Sequence, residues 1–253
     1  MKAILSGVTL CTLLAACAGS GPIPPASQAT SILSSSAGVY KGALASHQNV
    51  TLLALYDGTA WLFYGTPTPG QKAPGGVIVA FAGHQTANGQ YTGSDARNYS
   101  LESGNASPVA VAIDFSHAPS IQGVIDGSNG NGRAQAAFTA TADTMPAQTA
   151  SLNAIAGLYV GHAGSLAGGT TSRVSVTKDG FLAGTTPGGC VFRGTVKPNS
   201  GVNAYDVSIS FGPTPCPAAD ATITGHAILD QGHLTAAFPR PDHSDLFVFD
   251  GRR

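Results

Sequence analysis

Residues 55–65 read LYDGTAWLFYG. Asp57-Gly58 predicts a two-residue hairpin turn, because such a turn needs positive φ and glycine adopts it at little cost. Pairing Tyr56 with Thr59 puts Leu52, Ala54, Trp61 and Phe63 on one face and Leu53, Leu55, Ala60 and Leu62 on the other. An antiparallel hairpin at a surface normally keeps one side polar. Here both sides are apolar. The expectation is that Leu53, Leu55, Ala60 and Leu62 form a covered interface. The cover is a second domain of the same chain, or else a partner, or the Pro-rich stretch from Thr66 to Pro74.

A second domain is legible in the chain, which repeats itself. Gly38-Val39-Tyr40-Lys41-Gly42 recurs as Gly157-Leu158-Tyr159-Val160-Gly161. Tyr56-Asp57-Gly58 recurs as Lys178-Asp179-Gly180, Gly75-Gly76-Val77 as Gly188-Gly189-Cys190, and Ala136-Ala137-Phe138 as Ala236-Ala237-Phe238. Order is kept while spacing drifts, as duplication with loop insertions would produce. The second copy's hairpin, with the same turn, places Val174, Val176, Phe181 and Ala183 on a core face. Its other face carries Arg173, Ser175, Thr177, Leu182 and Gly184.

Each copy holds about eight short strand-like runs separated by turn residues, and no useful helical period. The expected fold is all-β: two tandem antiparallel eight-stranded meander barrels, with β-sandwiches as the alternative. The expected boundaries are 37–145 and 156–253, joined by a linker at 146–155.

The first 17 residues, MKAILSGVTLCTLLAAC, combine Lys2, an apolar run from Ile4 to Leu14 and small residues before Cys17. The run is too short to span a bilayer. This resembles the bacterial lipoprotein signal peptide. The resemblance implies removal of residues 1–16, acylation of Cys17 with palmitate-type chains, and anchoring by several chains where one would hold only marginally. Ala18, where that family uses aspartate for inner-membrane retention, implies the outer membrane of a Gram-negative bacterium. Residues 17–36, rich in Ser, Pro and Gly, then read as a lipidated tether. The Gly-x-Tyr-x-Gly strand and the Asp-Gly hairpin resemble the small barrels of Gram-negative surface lipoproteins, distantly the transferrin-binding type. Gly189-Cys190-Val191-Phe192-Arg193-Gly194 and Asn203-Ala204-Tyr205-Asp206-Val207 resemble repeats of proteobacterial lipoproteins. These motifs are structural and carry no catalytic residue.

With Cys11 in the signal peptide and Cys17 lipidated, Cys190 and Cys216 remain. In an oxidising compartment they read as a disulfide, with two buried thiols as the alternative. Charged residues are only 10% of the chain and the net charge is −1, which argues against nucleic-acid binding. No Gly-x-Ser-x-Gly elbow, His-Glu-x-x-His or P-loop is present. Seven histidines are scattered: His47, His84, His117, His162, His226, His233 and His243. His226 and His233 are positioned to face each other across a hairpin, and Asp242-His243-Ser244-Asp245 clusters polar groups in a turn. The expectation is no cofactor, no metal and no catalytic residue. The function expected is that of a binding or scaffolding lipoprotein, with the membrane, an envelope protein or a small ligand as partner. The alternatives are an inhibitor of an envelope or host hydrolase, and a hydrolase with an unrecognised site.

Overall fold

A computed structural model describes residues 36–66, 74–129, 132–143 and 150–253. The expected signal peptide, Cys17 and the expected tether up to residue 35 lie outside the described residues, as do residues 144 and 145 of the expected first domain and 146–149 of the expected linker.

Barrel 1 runs through β1 (Gly38–Leu44), β2 (Asn49–Ala54), β3 (Ala60–Gly65), β4 (Pro74–Gln85), β5 (Gln90–Ser100), β6 (Asn105–Asp114), β7 (Ser120–Asn129) and β8 (Gly132–Ala142). After the short helix α1 (Leu152–Ile155), barrel 2 runs through β9 (Gly157–Ser165), β10 (Gly168–Val176), β11 (Phe181–Thr185) and β12 (Val191–Pro198). It continues with β13 (Tyr205–Phe211), β14 (Thr222–Asp230), β15 (His233–Pro239) and β16 (Leu246–Arg252). Each strand pairs antiparallel with its sequence neighbour. The β1–β8 and β9–β16 pairs close the two sheets into barrels, so the sandwich alternative does not apply. Closure removes the unpaired edges that an open meander would expose.

The repeated Gly-x-Tyr-x-Gly strand has a structural task in both copies. A Cβ at Gly42 would stand 1.8 Å from the Thr139 carbonyl oxygen, and one at Gly161 would stand 2.0 Å from that of Asp250. Only glycine lets the first strand lie this close to the last. Between the glycines, Tyr40 donates its hydroxyl to Ser36 O at 2.9 Å, and Tyr159 donates to Ile155 O at 2.7 Å. Each tyrosine thereby ties the incoming chain to the barrel it enters.

Both interiors are filled by their own side chains. Tyr40, Leu52, Tyr91, Phe115 and Phe138 are buried in barrel 1. In barrel 2, Phe211 and Phe247 meet edge-on at 5.0 Å, with Phe192 5.4 Å from Phe247, and the residual space is only about 20 Å³. Helix α1, capped by Ser151 Oγ accepting from Ala154 N, sends Ile155 into that core.

The hairpin register differs from the expected one by one residue. Leu55 N donates to Thr59 O and Gly58 N to Leu55 O, so the loop has three residues, Tyr56 to Gly58. Gly58 takes φ 89°, and Asp57 Oδ1 accepts from Thr59 N at 2.9 Å. This is a type I turn followed by a left-handed glycine, which the Asp side chain favours by bonding two residues ahead. Leu53 therefore pairs with Trp61 and Ala54 with Ala60. A one-residue shift exchanges the faces of one strand relative to its partner. Ala60 and Leu62 point into barrel 1 with Leu52 and Ala54, while Trp61 and Phe63 join Leu53 and Leu55 outside. Lys178 to Gly180 forms the same loop, with Gly180 at φ 80°. There Leu182 turns inward and Phe181 outward, reversing the expectation for both.

Cys190 and Cys216 form a disulfide with Cα atoms 4.6 Å apart, fastening the loop after β13 to the start of β12.

Candidate functional site

The outer walls of the two barrels meet. Leu53, Leu55, Trp61, Phe63, Val77 and Val79 of barrel 1 belong to one buried cluster with Ile228, Ala237, Leu246 and Val248 of barrel 2. Leu53 is fully buried although it lies on the outside of its barrel. Of the four residues expected at an interface, Leu53 and Leu55 are in this contact. Ala60 and Leu62 are in the barrel 1 core. Trp61 and Phe63, which the sequence reading put on the opposite face, take their places. Two recesses flank the contact.

The first is a cleft of about 670 Å³. Lys41, Asn49, Thr51 and Phe63 come from barrel 1, and Ile228, Asp230, His233, Thr235, Asp250 and Arg252 from barrel 2. Lys41 Nζ lies 2.8 Å from Asp143 Oδ2 and 2.9 Å from Asp230 Oδ2, so one ammonium bridges both barrels. Burial opposes its charge, but the two carboxylates outweigh that and hold its pKa above the usual lysine value. His233 Nε2 lies 2.8 Å from Asp250 Oδ1, and Thr235 Oγ1 donates to Asp250 Oδ2 at 3.2 Å. The threonine hydroxyl is thus spent on a carboxylate rather than on an imidazole. This is not the hydroxyl–imidazole–carboxylate order that activates a nucleophile.

The second recess, of about 510 Å³, holds Trp61 and Phe81 against Lys197, Asp206, His226, Arg240 and His243. Trp61 and the His226 ring meet edge-to-face at 4.9 Å. His226 Nδ1 is 3.1 Å from Asp206 Oδ1 without a hydrogen bond, so the two form an ion pair only when the imidazole is protonated. Burial lowers the His226 pKa, with Asp206 and Asp57 opposing. Asp206 Oδ1 instead accepts from Asn199 Nδ2 at 2.7 Å.

His226 and His233 do not oppose each other. His226 pairs with Ala237 and His233 with Asp230, and the two imidazoles line different recesses. The cluster at 242–245 is a docking turn. His243, at φ 56°, stacks on Phe81 at 3.5 Å with planes 6° apart, and its carbonyl accepts the Tyr99 hydroxyl at 3.2 Å. Asp242 accepts from both the backbone and the hydroxyl of Ser244, which hold its carboxyl below the usual range. Asp245 Oδ1 accepts from Leu166 N at 3.0 Å and Leu246 N at 2.8 Å. Among the described residues, no group of three or more His, Cys, Asp or Glu is placed to hold a metal ion. The sequence reading missed this inter-barrel site because its groups come from β1, β2, β14, β15 and β16, far apart in the chain.

Fold and site together define a tandem of closed, filled barrels with two recesses between them. No family model matches the chain, and no curated protein does. Similar solved structures include a Bacteroides fragilis protein assigned provisionally to the outer membrane. It is 14% identical, with a TM-score of 0.32, and the match covers 86% of this chain and 97% of that one. Another is a tryptophan-to-alanine mutant of the vaccine antigen Transferrin Binding Protein B from Haemophilus parasuis. It is 9% identical, with a TM-score of 0.28, and the match covers 81% of this chain and 65% of that one. Likeness at this level speaks neither of ligand nor of activity.

Proposed function

We propose that the chain is an outer-membrane-anchored lipoprotein that acts as a binding or scaffolding module and takes its ligand in the cleft between the barrels. The observation that carries this reading is the filled interior of both barrels. With no room inside, an all-β module of this kind works through its outer surface, and a recess of about 670 Å³ is walled by both barrels. In it Lys41 is paired with two carboxylates and His233 with Asp250. That pattern supports recognition of a polar group over chemistry on it. The anchor reading is supported by Leu14-Ala15-Ala16-Cys17.

Photo-reactive amino acids placed at Asn49 and Thr235 in the cleft, and at exposed Ala110 on β6 as a control, test the site in intact cells. Adducts at the two cleft positions and none at Ala110 are expected. Adducts at Ala110 alone, or at no position, would overturn the cleft as the site.

A further inference from the structure

Among the described residues five large apolar side chains are exposed, and four of them, Leu158, Val160, Phe181 and Val191, lie on one wall of barrel 2. Phe181 is 63% exposed and Leu158 57%. The strand register makes them one surface. Arg252, Val160, Arg173, Thr185 and Val191 form one row across β16, β9, β10, β11 and β12. Leu158, Ser175, Ala183 and Arg193 form the next, and Phe181 pairs with Thr195 in a third. At the usual strand spacing the apolar groups span about 14 Å from β9 to β12.

Charge is segregated on the same wall. Strands β9 to β12 contain no Asp or Glu, and Asp179, in the β10–β11 turn beside Lys178, is the lone carboxylate between residues 156 and 205. The other six carboxylates of barrel 2 follow from Asp206 onward. Arg173 and Arg193 form no ion pair with a described residue. Lys197 stands opposite Asp206 across β12 and β13.

We propose that this wall docks on an anionic lipid surface, with Arg173 and Arg193 at the headgroups and Leu158, Phe181 and Val191 entering the interface; Val160 and Arg252, which line the cleft, mark its edge. Aliphatic and aromatic groups interspersed with arginine, with Asp179 in the β10–β11 turn as the one acid beside them, is the composition that such surfaces attract. The wall is a convex barrel side. Leu158, Phe181 and Val191 line none of the recesses described above, so a fluid surface that moulds to the protein suits it better than a protein ligand needing a pit. A second copy placed wall to wall would set arginine against arginine. The proposed function enters only by supplying the surface: an acylated Cys17 would hold the barrels at a bilayer.

A chain beginning at Ala18 contains both closed barrels and no acylation site, so vesicle binding is read independently of the anchor. It is spun with vesicles of phosphatidylcholine alone and of equal parts phosphatidylcholine and phosphatidylglycerol. Pelleting with the anionic vesicles only is expected, and a loss of binding when salt rises from about 0.05 to about 0.5 M. Arg173→Glu with Arg193→Glu, and separately Leu158→Ser with Phe181→Ser, should each weaken binding tenfold or more while leaving the melting temperature unchanged. Should either pair fail to fold, the lipid and salt dependence of the unaltered chain decides. No pelleting with anionic vesicles, or pelleting indifferent to lipid charge, would overturn the proposal. So would a dimer lost in the arginine pair without lipid binding, which would give the wall to a second copy. Wall-dependent crosslinking to an acidic protein without lipid binding would give it to that protein.

Discussion

Leu53 and Trp61 are direct partners across β2 and β3, and both side chains point away from their own barrel into the second one. The inter-barrel contact is thus built from a hairpin whose outer face is as apolar as its inner face. Burying that face removes large side chains from water at about 25 cal/mol per Å². Leu53→Ala should lower unfolding stability by about 2–5 kcal/mol, as for a core leucine, although it lies outside its barrel. Trp61 is the only tryptophan in the chain and is 5% exposed. Leu53→Lys should therefore separate the barrels and shift tryptophan emission to the red. Unshifted emission with unchanged stability would contradict this contact.

The ion bridge at the cleft should matter far less. Lys41 is 35% exposed, so solvent screens its pairs with Asp143 and Asp230. Lys41→Met should cost about 1 kcal/mol or less by denaturant titration, and the difference should shrink in high salt. A loss equal to that of Leu53→Ala would mean that charge, not apolar burial, joins the barrels.

His226 makes stability fall on acidification. Its folded pKa is depressed by burial, so the unfolded chain binds the proton more readily. The stability this gives is present in full above the unfolded value, about 6.5, and is lost as pH falls from there through the folded value. Thermal melts at pH 7.5 and pH 5.5 should show a larger drop for the unaltered chain than for His226→Gln. Equal drops would remove His226 as the cause.

Reduction of the Cys190–Cys216 bridge frees a loop of sequence separation 26. On the chain-entropy account the bridge contributes about 3–4 kcal/mol. Thiol titration of the denatured, unreduced Ala18–Arg253 chain should find no free thiol. A Cys190→Ala, Cys216→Ala variant should melt several degrees lower.

Acylation is tested at Cys17. Metabolic palmitate labelling of the full-length protein should be abolished by Cys17→Ala. Persistent label would refute the anchor.

Much of this architecture was already present in the order of residues. The repeated Gly-x-Tyr-x-Gly strand, the Asp-Gly and Lys-Asp-Gly turns and the short alternating runs determined two copies of an eight-stranded meander. Removing Cys11 and Cys17 left one pair of cysteines to bridge. The side on which each residue of β3 lies was decided only in three dimensions. Ala60, Trp61, Leu62 and Phe63 are all apolar, so alternation offers no preference for either register. The Asp-Gly pair fits a two-residue turn as well as a three-residue loop closed by a left-handed glycine. The bond from Thr59 N to Asp57 Oδ1 selects the longer loop, and that single residue sends Trp61 and Phe63 outward and Leu62 inward. The cleft was equally out of reach. Lys41 meets Asp230 only because two closed barrels dock wall to wall, and docking depends on the summed shape of surfaces that no local stretch of sequence encodes.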